Sequence, residues 1–370
     1  MMRRSLVTAT LLTALGLPAC TGGGAFPAAA QRIDGLRSPV RSLGGSTSTA
    51  CRTQTCIYVT NNDGYGNYSQ GNKVLVFSRE ANGNAAPIAQ IRGKKTGLKY
   101  PRAIALDRDR SVYVSNFTPG ENGSSITVYP AGATGNAPPA RKITGPNTEL
   151  YAPSSVSVAA DGATYVTDVY GAASGCSNPT QGCWDVNVYA AGANGDAAPV
   201  QSIRGQQTKL YYVYGSAVDA SGNVYVANGY HANCCVTVYA ANSNGDVKPL
   251  RNISGSKTGL ATPVGLALDA RGDVFVLNAE GSPTRSVTVY APGAHGNVKP
   301  IRTISGQNTG LYAAPVAIAV DGSGRVYVVQ SGYANSISVF ATGANGDVAP
   351  VRVIQGKNTG MTSPWGIAVR

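Results

Sequence analysis

One short segment constrains this chain more than anything else in it. The pattern Gly-x-x-Thr-x-Leu (or Met) occurs six times, starting at Gly93, Gly145, Gly205, Gly255, Gly306 and Gly356, at intervals of 52, 60, 50, 51 and 50 residues. A fixed period of this size means a stack or a ring of similar units, each too small to bury a core alone. A second glycine stands ten residues before each of these, at Gly83, Gly135, Gly195, Gly245, Gly296 and Gly346, mostly within Asn-Gly-Asn or Asn-Gly-Asp. Such triplets supply the positive φ of a hairpin turn, so a hairpin is expected there.

Each unit reads as four strands. In the copy over 263 to 306, strand a is expected at Val264–Leu268, strand b at Val274–Leu277, strand c at Ser286–Tyr290 and strand d at Ile301–Ile304. Runs of about five residues between turn signals suit an antiparallel meander. Composition agrees: 46 Gly, 20 Tyr against 5 Phe, and only 13% charged residues favour short strands and tight turns over long helices. The expected fold is all-β: a six-bladed β-propeller of four-stranded antiparallel blades. The last copy stops after a single strand, Pro364–Val369, while the first begins at strand b with Cys56–Thr60. The C-terminal strand is therefore expected to complete the N-terminal blade and close the ring, leaving no open sheet edge.

The stretches Pro-x-x-Ile-Ala-Leu-Asp…Val-Tyr-Val-x-Asn, as in Pro101 to Asn116, resemble the NHL-repeat and TolB-like six-bladed propellers of exported bacterial proteins. The resemblance covers 51–370. It implies the fold and leaves activity open, because propellers host many functions.

The N-terminus reads as an address. Arg3 and Arg4 precede an apolar run from Leu6 to Leu17, too short to span a bilayer. It ends in Leu-Pro-Ala-Cys20, which resembles a lipobox whose cysteine is lipidated. The alternative is an ordinary signal peptide cut after Ala28-Ala29-Ala30. The expected organisation is a signal peptide over 1–19, a lipidated flexible tether over 20–50 and the propeller over 51–370. A diacylated Cys20 would hold the chain to a membrane of the bacterial envelope, and a monomer is expected. Cys51, Cys56, Cys176, Cys183, Cys234 and Cys235 remain. An even count in an exported chain reads as disulfides, locally Cys51–Cys56 and Cys176–Cys183. Cys234 and Cys235 either form a vicinal bond or stay as thiols. None of these spacings matches a zinc knuckle.

The b–c loops vary in length while the Gly83-type segments do not, which marks the b–c face as the place for binding. Each strand b ends in a polar residue: Asn61, Asn116, Asp168, Asn228, Asn278 and Gln330. These either contact a polar ligand around the channel mouth or cap the turn that follows. Aromatic residues gather in the same loops, including Tyr65, Phe117, Tyr170, Trp184, Tyr230 and Tyr333; they either stack on a ligand or pack between loops. The expected ligand is a glycan, a peptide or a protein. The resemblance also raises a metal-dependent hydrolase or lactonase of the gluconolactonase type, with a divalent cation at the mouth. Only four glutamates occur in the chain, and a hard cation wants several carboxylates, so no metal site, cofactor or catalytic residue is assigned. His231 and His295 are the only histidines, and neither is given a catalytic role. Arg141, Arg251, Arg302 and Arg352 share one position in strand d, where charge on the outer rim would discourage edge pairing. Of the net charge of +12, Arg3 and Arg4 belong to the signal peptide and much of the remainder is expected on the blade rim and the tether, so no nucleic-acid partner is expected.

Overall fold

The computed structural model describes residues 55–62, 71–118, 123–169, 184–229, 235–280, 285–312 and 314–370, all within one unit, Ser46–Arg370. They form six four-stranded antiparallel sheets. Blade 1 has the order β24 (Pro364–Val369), β1 (Cys56–Asn61), β2 (Lys73–Ser78) and β3 (Ala89–Arg92). Blade 2 holds β4 (Pro101–Leu106), β5 (Val112–Asn116), β6 (Ser125–Tyr129) and β7 (Arg141–Ile143). Blade 3 holds β8 (Pro153–Val158), β9 (Thr164–Asp168), β10 (Asp185–Tyr189) and β11 (Gln201–Ile203). Blade 4 holds β12 (Val213–Val218), β13 (Val224–Asn228), β14 (Cys235–Tyr239) and β15 (Arg251–Ile253). Blade 5 holds β16 (Pro263–Leu268), β17 (Val274–Asn278), β18 (Ser286–Tyr290) and β19 (Arg302–Ile304). Blade 6 holds β20 (Ala314–Val320), β21 (Val326–Ser331), β22 (Ser336–Phe340) and β23 (Arg352–Ile354). The all-β six-bladed propeller read from the repeat is the fold.

Closure follows the expected route. β1 pairs with β24 through Ile57↔Val369, Tyr58↔Ala368 and Val59↔Ile367. Strands b and c of most blades are buried along their whole length. Each blade is covered on both faces by its neighbours, so these strands lack the alternation of a half-exposed sheet. The cores are inter-blade clusters such as Val186, Val188, Val226 and Tyr239. Fully burying each such aliphatic side chain contributes about 1.5–3 kcal/mol.

The segment around Gly296 is not a tight hairpin. β18 ends at Tyr290 and β19 starts at Arg302, and the intervening connection reaches sideways to the previous blade. Gly296 forms a parallel bridge with Ile253, and all six copies repeat it, including Gly83 with Ile354 across the closure. The whole triplet takes part. Asn244 Oδ1 accepts the Ser202 N–H (2.9 Å), Gly245 N–H donates to Ser202 C=O (2.8 Å), and Asp246 Oδ1 accepts the Gln207 N–H (2.7 Å). The positive φ of Gly245, 76°, turns the chain into this clasp. The Gly-x-x-Thr-x-Leu segment is the other half of it. A Cβ on Gly205, whose φ is 126°, would lie 2.4 Å from the Asp246 carboxylate. Thr208 Oγ1 donates to Gly205 C=O (2.6 Å) and accepts the Leu210 N–H (3.2 Å), while Tyr239 Oη donates to Thr208 C=O (2.6 Å). The two repeated signatures are thus the two sides of one inter-blade contact.

The strand-d arginines do not face outward as rim charges. Arg141 Nη2 donates to Tyr113 Oη (2.8 Å), Arg251 Nη2 donates to Tyr225 Oη (2.9 Å), and Arg302 lies 5.3 Å above the Phe275 ring. Arg302 and Arg352 keep only 17% and 13% of their side-chain surface in solvent. The long stems let the guanidinium of Arg141, Arg251 and Arg302 fold back over the strand-b aromatic ring.

Candidate functional site

The connections b–c and d–a open on the same end of every blade, called here the upper face. At its base lies the polar row that ends each strand b. Asn116 Oδ1 accepts the Lys99 N–H (3.0 Å), Asn228 Oδ1 accepts that of Tyr211 (2.9 Å), and Asn278 Oδ1 accepts that of Ala261 (3.0 Å). Asn61 Oδ1 takes two, from Thr362 (2.8 Å) and Ser363 (3.1 Å). Asp168 takes Tyr151 N–H and Ala152 N–H, each at 2.7 Å. Gln330 instead donates to Ser336 Oγ and Ser338 Oγ. All six are buried. Apart from Gln330, they cap the incoming d–a loop rather than the turn that follows them, and each serves its own blade. Asn116, Asp168 and Asn228 are each engaged with a loop of their own blade, and Glu280 accepts the Thr262 hydroxyl (2.6 Å). Among the described residues no three His, Cys, Asp or Glu side chains are grouped to hold a metal ion.

Strand a carries the feature that sequence reading missed. In all six blades its pairing with strand b shifts register near its start. The residue at the irregularity is Arg102, Ser154, Tyr214, Val264, Val316 or Trp365. A bulge releases one residue from the ladder and re-aims its side chain. These six share a position yet differ in chemistry, while the next residue is always small: Ala103, Ser155, Gly215, Gly265, Ala317 or Gly366. The small residues let neighbouring strands a approach closely. A Cβ on Gly215 would lie 3.0 Å from Gly265 Cα, and one on Gly366 would strike Arg102 C=O. The bulge residues touch across blades: the Arg102 guanidinium lies 5.6 Å from the Trp365 ring and 4.2 Å from Phe117, and Ser154 Oγ donates to Val213 C=O (2.9 Å). The available signal was a variable residue between a repeated proline and a repeated small residue.

Above this ring sits an aromatic group between blades 3 and 4. Trp184 lies 4.5 Å from Tyr211 and 5.1 Å from Tyr212, centroid to centroid, and Tyr211 meets Tyr212 edge-on at 5.0 Å. Each such pair contributes about 0.5–1.5 kcal/mol beyond area burial, so the cluster is a preformed surface. Tyr211 stays 41% exposed, and Tyr151 and Tyr312 project from equivalent d–a loops at 40% and 58%. Of the loop residues proposed from sequence, Trp184 joins this cluster and Tyr333 stands fully exposed on another blade. Tyr65, Tyr170 and Tyr230 lie outside the described residues, as do Cys20, Cys51, Cys176, Cys183 and Cys234. Cys56 and Cys235 are buried at the starts of β1 and β14. Nothing local in the sequence marks the d–a tyrosines, because they follow directly on the repeated Gly-x-x-Thr-x-Leu segment.

Directly beneath Trp184, Asp185 stands opposite Asp168 in the ladder. Burial, then the facing Asp168 carboxylate, push the Asp185 carboxyl well above the usual carboxylate range. Burial also raises the hydroxyls of the strand-c tyrosines, that of Tyr290 to about 12, so these remain neutral donors.

No protein-family model matches this chain, and no curated protein matches it. Solved structures do. A protein of unknown function from Bacteroides caccae superposes with a TM-score of 0.57 at 11% identity, over 86% of this chain and 99% of that one. A protein from Lactobacillus plantarum superposes with a TM-score of 0.52 at 15% identity, over 82% of each. At these identities the likeness is one of fold alone. The PQQ-bound form of aldose sugar dehydrogenase from Streptomyces coelicolor superposes more loosely, with a TM-score of 0.47 at 16% identity over 70% of this chain and 83% of that one, too loose to inform on activity here.

Proposed function

We propose that this chain is an exported, lipid-anchored binding protein of the bacterial envelope, related to the NHL and TolB-like propellers, and that its upper face between blades 3 and 4 holds a neutral glycan. The observation that carries this reading is the Trp184–Tyr211–Tyr212 cluster, with Tyr211 open to solvent. Flat apolar rings with polar edges suit the faces and hydroxyls of a sugar. The hydrolase reading finds less support, because the polar side chains it would need are engaged within their own blades. The test is a glycan-binding screen of the protein freed of its lipid. Trp184→Ala and Tyr211→Ala should each weaken the selected glycan about tenfold, near 1.4 kcal/mol, with Tyr333→Ala as the control on a distant blade. Equal loss in all three variants, or none in the first two, would overturn this placement.

A further inference from the structure

Blade 3 departs from its siblings at three neighbouring positions. Where blade 2 has Asn116, Ser125 and Thr127, blade 3 has Asp168, Asp185 and Asn187. In blade 2 the Asn116 amide donates to Thr127 Oγ1 (3.0 Å), and blades 4 and 5 repeat this with Asn228 to Thr237 and Asn278 to Thr288, each at 3.1 Å. In blade 3 that amide has become a carboxylate, and a second carboxylate replaces the Ser125 hydroxyl. Acceptors have increased while donors have fallen.

The shortage is visible atom by atom. Both Asp168 oxygens are matched by backbone N–H groups, and Asp185 Oδ1 takes the Asn187 amide at 3.2 Å. Among the described residues Asp185 Oδ2 and Asn187 Oδ1 have no donor, although Asp185 is 1% and Asn187 0% exposed. An unmatched buried acceptor costs about 1–3 kcal/mol, and more when charged. Like charges placed opposite each other in a ladder add to that cost. Of the other charged groups near Asp185, Glu149 and Arg204 are paired with each other at 2.7 Å, so the guanidinium is already engaged. On its own strand Tyr189 shares the face of Asp185 and Asn187, but its hydroxyl donates to Thr148 C=O and not to these acceptors. The connecting segment 170–183 contains no Asp, Glu, Lys, Arg or His.

We propose that this pocket is a proton-binding site: Asp185 is held as a neutral carboxylic acid whose O–H supplies the missing donor beside the Asp168 carboxylate. Loss of the proton sets a second negative charge against Asp168, which anchors the Tyr151 loop, and loosens the strand start that carries Trp184. The inference rests on the hydrogen-bond balance of blade 3 and not on the glycan reading.

The experiment is a carbon-13 carboxyl titration of the full chain labelled at aspartate, with Asp185→Asn to assign the resonance, alongside thermal melts from about pH 4 to about pH 9. The Asp185 signal should keep its acid form through neutral pH. Because the group binds its proton more tightly folded than unfolded, wild-type stability should fall relative to Asp185→Asn as pH rises above the ordinary aspartate range, and the two should converge at the acid end. Asp185→Ser, which restores the residue of blades 2, 5 and 6, serves if the amide variant folds poorly. Titration of Asp185 in the ordinary range would overturn the proposal. So would calcium chloride raising the melting temperature of wild type and not of Asp185→Asn at neutral pH, since a metal would then fill the pocket.

Discussion

Gly83 donates its backbone N–H to Val353 C=O at 2.7 Å and accepts the Gln355 N–H at 2.9 Å. This is the same clasp that links every other pair of successive blades, here joining the first blade to the last. Closure therefore uses two contacts: the β24–β1 ladder and this bridge.

Deleting 363–370 removes the ladder and exposes Ile57 and Val59, both fully buried. Several side chains at about 1.5–3 kcal/mol each are lost, so the melting temperature should drop by on the order of 10 °C or more. A scanning calorimetry trace unchanged from wild type would contradict the closure argument.

The clasp itself is open to a pair of substitutions. Asp246→Ala strips the acceptor from the Gln207 N–H and should cost about 0.5–2 kcal/mol, as loss of a helix cap does. Gly205→Ala should cost more, since its φ of 126° and the Asp246 carboxylate both oppose a side chain. Urea unfolding of the two variants should rank them in that order.

Asp321 offers a pH-dependent case of the opposite sign to Asp185. Burial alone would raise its carboxyl, but hydrogen bonds from Ser323 Oγ (2.6 Å), Arg325 N–H (3.0 Å) and Tyr327 Oη (3.0 Å) outweigh it and lower it. The stabilisation is present above the unfolded-state value and is lost as pH falls through the folded one. Asp321→Ala should melt about 3 °C or more below wild type at neutral pH. Melts repeated toward strong acid should show the two curves merging.

Much of the fold was legible because identical chemistry recurs once per blade: a repeated Gly, Thr or Pro leaves little freedom in assigning strands. Reach between blades was not legible. Nothing local in Asn244-Gly245-Asp246 distinguishes a tight turn from a clasp on a neighbour, and nothing local in Arg302 says that it folds back over Phe275. The site suffered from the same limit. Asn116 and Asn228 are polar and stand at strand ends, where a ligand contact and a loop cap look alike until their N–H partners are seen. Tyr211 was hidden by its proximity to a structural motif.

Arg302→Ala illustrates the practical difference. It removes the stack on Phe275 and the 3.4 Å ion pair with Asp273, so it should destabilise the chain by about 1–2 kcal/mol rather than leave it unchanged as a surface mutation would. Arg302→Lys should recover only part of this, because the ammonium lacks the planar guanidinium's stacking. Chemical denaturation midpoints of the two variants measure the difference.

Cys20→Ala should move the protein from the membrane fraction to the soluble one, through loss of the acyl chains. Persistent detergent-dependent extraction of that variant would argue for another anchor.

The irregular start of strand a has a consequence for how such a molecule can change over time. Arg102, Ser154, Tyr214, Val264, Val316 and Trp365 occupy the one inner-strand position that the ladder does not constrain, while their small neighbours keep the ring closed. Val264 and Val316 pack against the inter-blade cores, whereas a substitution at the exposed Trp365 alters the surface and leaves the strand pairing and the clasps in place. Positions outside both the ladder and the clasps let one frame present different surfaces without renegotiating its fold.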